Sequence, residues 1–325
     1  MKTRFENLLL AMLAFAVITA ASINPAYSQI GSWPVNFADD SEFYSEISTK
    51  FLDRPGTSSG LPLVADDTTN QTLFSSDQIS DLGGAAGAEV RFGKRGRYGR
   101  NWQIRTSLVN WNDEAEIVGA NLSSPLAPGF SPDQINTNYE SRLFSLELSF
   151  RRSVRPGLTL FAGPRYVSLK EDLVFQSDTF FPPPGGPFDL DTLNTLETRN
   201  NMYGIQVGGE LALPIARQLF FNGVIRAGGY GNPTRFRSSS STTLLPDPVE
   251  TEFSNTTGSF IGEVGARFVA DLIPGCVSSH IGYEATWIDG VALAPSQFST
   301  NETGQIVDGV TPFFHGITFG LGFRR

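Results

Sequence analysis

Apolar and polar residues alternate with a period of two along many segments of this chain. In the segment 277–291, Tyr283 and Trp287 fall on one face of an extended chain. His280 and Glu284 fall on the other face. Such alternation is typical of β-strands that lie between two different environments. It recurs in ten segments, at residues 42–53, 83–93, 101–114, 138–152, 158–170, 199–213, 218–231, 257–271, 277–291 and 312–324.

The segment lengths and connections predict a barrel that crosses a membrane. Tilted membrane strands need about 9–11 residues, whereas globular strands average about 5–6, and these segments are all of the longer kind. The connections alternate strictly between short turns and long loops. An even strand number with this alternation is typical of outer-membrane barrels. We therefore predict an all-β, antiparallel, up-and-down transmembrane barrel of about ten strands, with eight to twelve possible. Its short turns would be periplasmic and its long loops extracellular. A secreted soluble β-protein is the alternative.

The two faces of the strands predict an apolar outside and a charged interior. Six acidic and six basic residues occupy the polar register at mid-strand positions. An unpaired charge is costly in a narrow interior, so equal numbers favour a network of ion pairs that largely fills the lumen. A charge-lined pore for small solutes is the alternative reading of the same residues. The predicted lumen-lining residues are Glu46, Lys50, Glu89, Arg91, Arg105, Glu147, Arg165, Glu210, Arg226, Glu263, Arg267 and Glu284.

Aromatic residues near the strand ends predict the two membrane interfaces. Tyr and Trp are enriched where lipid meets water, because their rings are amphipathic. The residues expected to form these interfacial girdles are Trp102, Tyr139, Tyr166, Trp287 and Phe323.

The N-terminus has the pattern of a secretory signal peptide at residues 1–28. Lys2 and Arg4 precede an apolar run at 8–20, and small residues lead up to Ser28. This pattern predicts export and cleavage after Ser28. We expect a location in the outer membrane of a Gram-negative-type envelope, reached through the barrel-assembly machinery. The predicted divisions are the signal peptide 1–28, a short N-terminal segment 29–41 and the barrel 42–325.

Composition excludes several classes of protein. The chain has a net charge of −9, one Cys and two His. One Cys excludes a disulfide framework and, with two His, a Cys/His zinc site. An acidic chain without a Lys/Arg-rich tract is a poor ligand for nucleic acid. We expect no metal and no cofactor. The expected partners are outer-membrane lipid and, if the lumen is open, small solutes or ions.

Catalytic motifs are absent from the sequence. It has no nucleophile-elbow, phosphate-loop, dinucleotide-binding or His-Glu-x-x-His motif. We therefore expect that the chain is not an enzyme. A remote alternative is an enzyme at the outer rim of the barrel, where His315 follows Asp308.

Four stretches resemble the planctomycete-type outer-membrane β-barrel proteins, also called beta-barrel porin-7. They are residues 43–54, 108–113, 282–295 and 315–323, of which GYEATWIDGVALAP at 282–295 is the most specific. The resemblance implies an outer-membrane barrel and brings no catalytic residues. The chain departs from common barrels at its end, where Arg324 and Arg325 follow the last aromatic residue.

Three functions remain open at this point. The first is a narrow, charge-lined, porin-like channel with a largely ion-paired lumen. The second is a non-conducting structural or surface-interaction barrel that acts through its long loops, which hold most of the acidic residues outside the strands. The third is the enzyme at the rim.

Overall fold

The structure is a computed structural model. It describes residues 42–55, 62–66, 68–69, 71–75, 84–96, 100–119, 122–123, 132–181, 188–299 and 305–324. The predicted signal peptide 1–28 and the segment 29–41 lie outside the described residues. No helix in the described part of the chain is both long and apolar enough to cross a membrane.

Ten long strands close into one antiparallel barrel, which confirms the predicted fold. Around the barrel they follow the order β1, β13, β12, β11, β10, β9, β8, β7, β5, β4, and β2, β3 and β6 form a separate small sheet. Each predicted segment falls on one barrel strand. The strands are β1 Glu42–Asp53, β2 Pro62–Asp66, β3 Gln71–Ser75, β4 Ala85–Arg95, β5 Arg100–Val118, β6 Leu122–Ser123, β7 Gln134–Arg155, β8 Leu158–Phe181, β9 Phe188–Ala216, β10 Leu219–Thr242, β11 Leu245–Ile273, β12 Val277–Asp289 and β13 Phe313–Arg324.

The first and last strands close the barrel. β1 pairs with β4 on one side and with β13 on the other, from Tyr44 opposite Arg324 to Asp53 opposite His315. Closure satisfies the backbone hydrogen bonds of every strand without water, which a bilayer requires.

The barrel turns its apolar face outward. Ile47, Ile205 and Phe268 expose 58%, 69% and 50% of their surface on the outside. The alternate residues on the same strands point inward and carry the charges. This is the reverse of a soluble barrel and suits a lipid surround.

Two of the short turns depend on glycine. Gly157 and Gly275 both have φ of +77°. A side chain is strained in this left-handed region, so glycine permits the tight reversals from β7 to β8 and from β11 to β12.

Two predicted long loops are mostly strand, which corrects the sequence-based assignment. The predicted loops 171–198 and 232–256 continue β8 to β11 beyond the lipid-facing belt. Their outer face is polar, so it lacks the apolar signal of the membrane strands. Their inner face still buries apolar residues such as Leu173, Phe175 and Phe236. We call this extension the outer sheet, defined as residues 134–142, 170–181, 188–199, 235–242 and 245–254.

Candidate functional site

Glu263 on β11 is the centre of the charged interior. Its carboxylate accepts hydrogen bonds from Arg165 at 2.5 Å, Arg226 at 2.9 Å and Arg105 at 3.0 Å. Arg105 also donates to Glu89 at 2.8 Å. All five side chains are at most 8% exposed. Each of these buried charges therefore has an oppositely charged partner within the barrel.

Lys50 extends the same network toward β12. Its ammonium lies 2.6 Å from Glu89 and 2.5 Å from Glu284. Glu147 is held more loosely, because its contact with Arg105 is 3.5 Å long and its second partner is the hydroxyl of Ser149.

A second group of ion pairs lies nearer the short turns. Glu46 contacts Arg267 at 2.7 Å and Arg91 at 3.3 Å. Arg91 also reaches Glu89 at 2.5 Å, so the two groups are continuous. Glu210 lies 3.6 Å from Arg267.

Arg151 is a member of this group that the sequence analysis omitted. It pairs with Glu210 and donates to Gln103. Arg151 stands close to a strand end, but it shares the inward register with Glu147. Continuing the alternation of that strand by two more steps would have found it.

His280 also points into the interior at this level. Its Nε2 atom lies 3.4 Å from the hydroxyl of Ser48 and 3.8 Å from Glu46. Both neighbours approach the same ring nitrogen. In a hydrolase triad the histidine instead uses one nitrogen for the nucleophile and the other for the acid.

The structure places all twelve predicted lining residues inside the ring of strands, where they form ion pairs rather than line open space. Among these residues lie cavities that include one of about 30 Å³ and one of about 20 Å³. Each cavity has room for a few water molecules only.

An apolar layer lies above the charges, toward the outer mouth. Trp111 and Phe314 pack with their ring centroids 5.2 Å apart. Neighbouring side chains of this layer are each at most 5% exposed, and they are Leu52, Val109, Val167, Leu169, Met202, Tyr230, Ile261 and Ile288.

The chain after β12 enters this layer as a plug, which we define as residues 290–297. Residues 291–294 are at most 1% exposed. Gly290 starts the inward turn with φ of +76°, and a Cβ atom there would lie 2.5 Å from the carbonyl oxygen of Gly258. From the sequence we assigned residues 290–291 to the strand 277–291 and the following residues to a long extracellular loop, so both assignments are corrected here.

Side chains of the barrel wall hold the plug in place. The Asn200 amide donates to the carbonyl of Ala292 at 2.7 Å and accepts from its N–H at 2.9 Å. The N–H of Ala294 donates to Glu171 at 2.9 Å. Asn232 donates to the carbonyl of Gly290 at 3.1 Å. Each bond satisfies a plug backbone group that has no strand partner.

Glu171 belongs to a buried polar cluster that the sequence analysis did not predict. Arg54 donates to Glu171 at 2.5 Å and to the hydroxyl of Tyr139. Burial raises the pKa of the Tyr139 hydroxyl well above its usual value, so it stays protonated. Assigning Tyr139 to a membrane interface was therefore wrong. Tyr139 lies four alternate positions from Glu147 on the same strand, so its side chain points inward as well.

A second apolar cluster covers this polar one at the outer mouth. Leu63 and Val64 of the small sheet are fully buried, and Phe74 is 7% exposed. They pack with Leu173 and Phe175 from the inner face of the outer sheet. The small sheet thus acts as a cap.

The other four predicted interface aromatics lie on the outward register. Trp102 packs edge-on against Phe92, and Tyr166 packs on Tyr203 at 4.8 Å between centroids. Phe323 is 43% exposed. Trp287 is only 8% exposed, because it lies across Gly262 on the neighbouring strand.

His315, the residue of the proposed rim enzyme, lies on the outside of the barrel. Its Nδ1 atom is 2.7 Å from the hydroxyl of Tyr283. Asp308 contacts Asn255 at 3.0 Å. No group of three or more His, Cys, Asp or Glu residues within the described ranges is arranged to hold a metal ion.

Sequence comparison gives no family assignment. No protein-family model matches the chain. No curated protein sequence matches it either.

Solved structures with a similar fold are outer-membrane barrels. The outer membrane protease OmpT from Escherichia coli is 10% identical, with a TM-score of 0.40, over 89% of this chain and 98% of that one. The translocator domain of the autotransporter NalP from Neisseria meningitidis is 9% identical, with a TM-score of 0.40, over 96% and 97%. A major outer membrane protein from Thermus thermophilus is 11% identical, with a TM-score of 0.33, over 88% and 100%.

These matches share the barrel fold of outer-membrane proteins. They also correct one expectation. We concluded from missing motifs that the chain is not an enzyme, but a protease is among the matching barrels, so missing soluble-enzyme motifs do not exclude catalysis on this fold. At such low similarity the matches carry no argument about the activity of this chain.

Proposed function

We propose that this protein is a closed outer-membrane barrel that presents its outer sheet at the cell surface. The plug is the observation that carries this proposal. It crosses the bore within one apolar layer, while the capped cluster lies above it and the ion pairs lie below it. An ion that followed the axis would have to displace two apolar layers and separate buried charge pairs.

The narrow channel expected from the sequence is therefore the less favoured function. Its predicted lining residues contact each other, and the remaining cavities hold a few waters each. The resemblance to planctomycete-type barrel proteins supports a surface barrel and a channel equally. That family, the signal peptide 1–28 and delivery by the barrel-assembly machinery remain predictions.

The outer sheet is long enough to reach well beyond the membrane. Its β8 part covers residues 170–181 and its β9 part residues 188–199. At about 3.3 Å per residue each part extends about 40 Å along the strand. The turn at Thr243 and Leu244 between β10 and β11 is exposed at its far end.

Conductance in a planar bilayer tests closure. We expect the protein to be silent, and to remain silent when Glu147 is changed to Gln. A variant whose residues 291–297 are replaced by Gly and Ser should leak intermittently, because it loses the plug but keeps the ion pairs. Protease protection in vesicles made from the same preparation shows that silent samples contain inserted barrels. A steady conductance of the unmodified protein would support the channel and overturn the proposal.

A protease site inserted in one turn at a time tests surface presentation. With the site between Thr243 and Leu244, protease added to intact cells should cut the protein. With the same site at Gly157, in the opposite turn, cutting should require permeabilised cells. Cutting at Gly157 on intact cells would show that the barrel has the opposite orientation.

A further inference from the structure

Four basic residues stand side by side on the outside of the barrel. The strand registers place Arg142 opposite Lys170 and Lys170 opposite Arg199. They also place Arg199 opposite Arg235. We call these four residues the basic row. Adjacent strands lie about 4.8 Å apart, so the row is about 15 Å long.

The basic row lies directly above the lipid-facing belt. Tyr166 precedes Lys170 by two outward positions, and Tyr203 follows Arg199 by the same distance toward the periplasm. The two rings pack together and Tyr203 is 59% exposed, as expected of residues at the lipid–water boundary. The row therefore stands at the level of lipid headgroups.

Like charges directly opposite each other on a sheet are destabilising. The acids that offset them lie on the side away from the belt. Lys170 contacts Asp172 at 2.8 Å, and Arg199 contacts Glu197 at 2.5 Å. Those acids leave the membrane-facing side of the row without an anion.

The two ends of the row are the least neutralised. Arg142 donates to the amide oxygen of Asn110 at 3.1 Å, and no ion pair of Arg142 occurs within the described ranges. Arg235 contacts Glu252 at 3.1 Å, but its side chain is 64% exposed. A guanidinium has five N–H donors, so both residues keep donors for a further acceptor.

We propose that the basic row binds the phosphate groups of anionic lipids in the outer leaflet. Arg and Lys are the usual partners of phosphate, and Arg binds it in a bidentate manner. The row spans about two neighbouring headgroups and marks one side of the barrel. At the upper strand ends on the opposite side, the outward residues Asp53 and Asp289 are acidic. This inference requires insertion in the membrane with the orientation proposed above, but it does not depend on whether the barrel conducts.

Native mass spectrometry tests the proposal on protein purified from membranes in a neutral detergent. The probes are phosphatidylglycerol and phosphatidylcholine with identical acyl chains, at equal concentrations. We expect the protein to retain phosphatidylglycerol preferentially. Each basic residue near a lipid surface contributes about a fivefold change in affinity, so the double variant Arg142→Gln and Arg199→Gln should bind phosphatidylglycerol about 25-fold more weakly. Equal affinity of this variant and the unmodified protein would overturn the proposal.

Three controls identify the source of the effect. The double variant Arg142→Lys and Arg199→Lys keeps the charges and should keep the preference. Arg237→Gln removes one charge at the next outward position of β10 and should change the affinity by less than twofold. A loss of about fivefold in Arg237→Gln, as large as that expected for the single variant Arg142→Gln, would show a net-charge effect and refute the row. Inorganic phosphate at about 10 mM should not displace the lipid. This concentration is far below that needed to screen charges at these distances. Full displacement would make this a site for free phosphate.

Both double variants must show unchanged circular dichroism and unchanged migration of the unheated protein on gels. If the Gln double variant does not fold, the single variant Arg142→Gln replaces it, with an expected loss of about fivefold. Arg142 is the best single choice, because its hydrogen bond is to a neutral amide.

Discussion

Replacing Glu263 by Gln should strongly destabilise the barrel. The carboxylate of Glu263 is shared by Arg105, Arg165 and Arg226, and its side chain is 8% exposed. Gln keeps the volume but leaves three buried guanidinium groups without their common anion. Removing one partner of a buried ion pair costs about 3–5 kcal/mol, and we expect a loss of that size in the free energy of unfolding.

Glu147→Gln is the matched control for the same change of charge and shape. Glu147 is 2% exposed, yet its contact with Arg105 is 3.5 Å long. Its other partner is the Ser149 hydroxyl, from which the oxygen of Gln can still accept a hydrogen bond. We expect a loss of about 1.5–3 kcal/mol, the usual net value of a hydrogen bond to a charged group.

Urea titration in lipid vesicles, followed by tryptophan fluorescence, measures both losses. The variant Arg226→Gln should partly rescue Glu263→Gln, because it removes one of the three cations that lose their shared anion. In a double-mutant cycle the two changes should couple by about 1–3 kcal/mol. A loss for Glu263→Gln no larger than that for Glu147→Gln, or additive losses in the cycle, would refute the central role of Glu263.

Three further predictions concern the plug, the closure of the barrel between β1 and β13, and the orientation of the barrel in the membrane. Asn200→Ala removes both of its hydrogen bonds to Ala292, so the amide of Ala292 should exchange with deuterium faster, and unchanged exchange would contradict its role as an anchor. Gly316→Val places a side chain against the β1 backbone, so the fraction of protein that migrates as closed barrel on unheated gels should decrease. Gly229→Ala is the control and should leave this fraction unchanged, because Gly229 has open space around it. Exposed Cys276 lies in a short turn, which the proposed orientation places in the periplasm, so it should react with a membrane-impermeant maleimide only in permeabilised cells; reaction on intact cells would contradict that orientation.

The stretch 282–295 contains one part whose structure could be predicted from the sequence and one part whose structure could not. Its first half alternates and was correctly assigned to the barrel strand β12. Its second half, GVALAP, is the start of the plug. An apolar run after a strand has no period that distinguishes a buried insertion from a loop, so the plug could not be predicted from pattern alone.

The alternation along the chain was enough to predict about ten strands, their antiparallel order and the inward register of the charges. These follow from local periodicity, because a strand between lipid and a polar interior must alternate at every second residue. Which charges meet could be seen only in the folded barrel, where Arg54 contacts Glu171 although the two are 117 positions apart in the sequence. The folded barrel alone also showed that the mouth is capped and that a basic row forms on the outside. These features depend on the registers between strands, and a register joins residues whose proximity is not encoded in either strand separately.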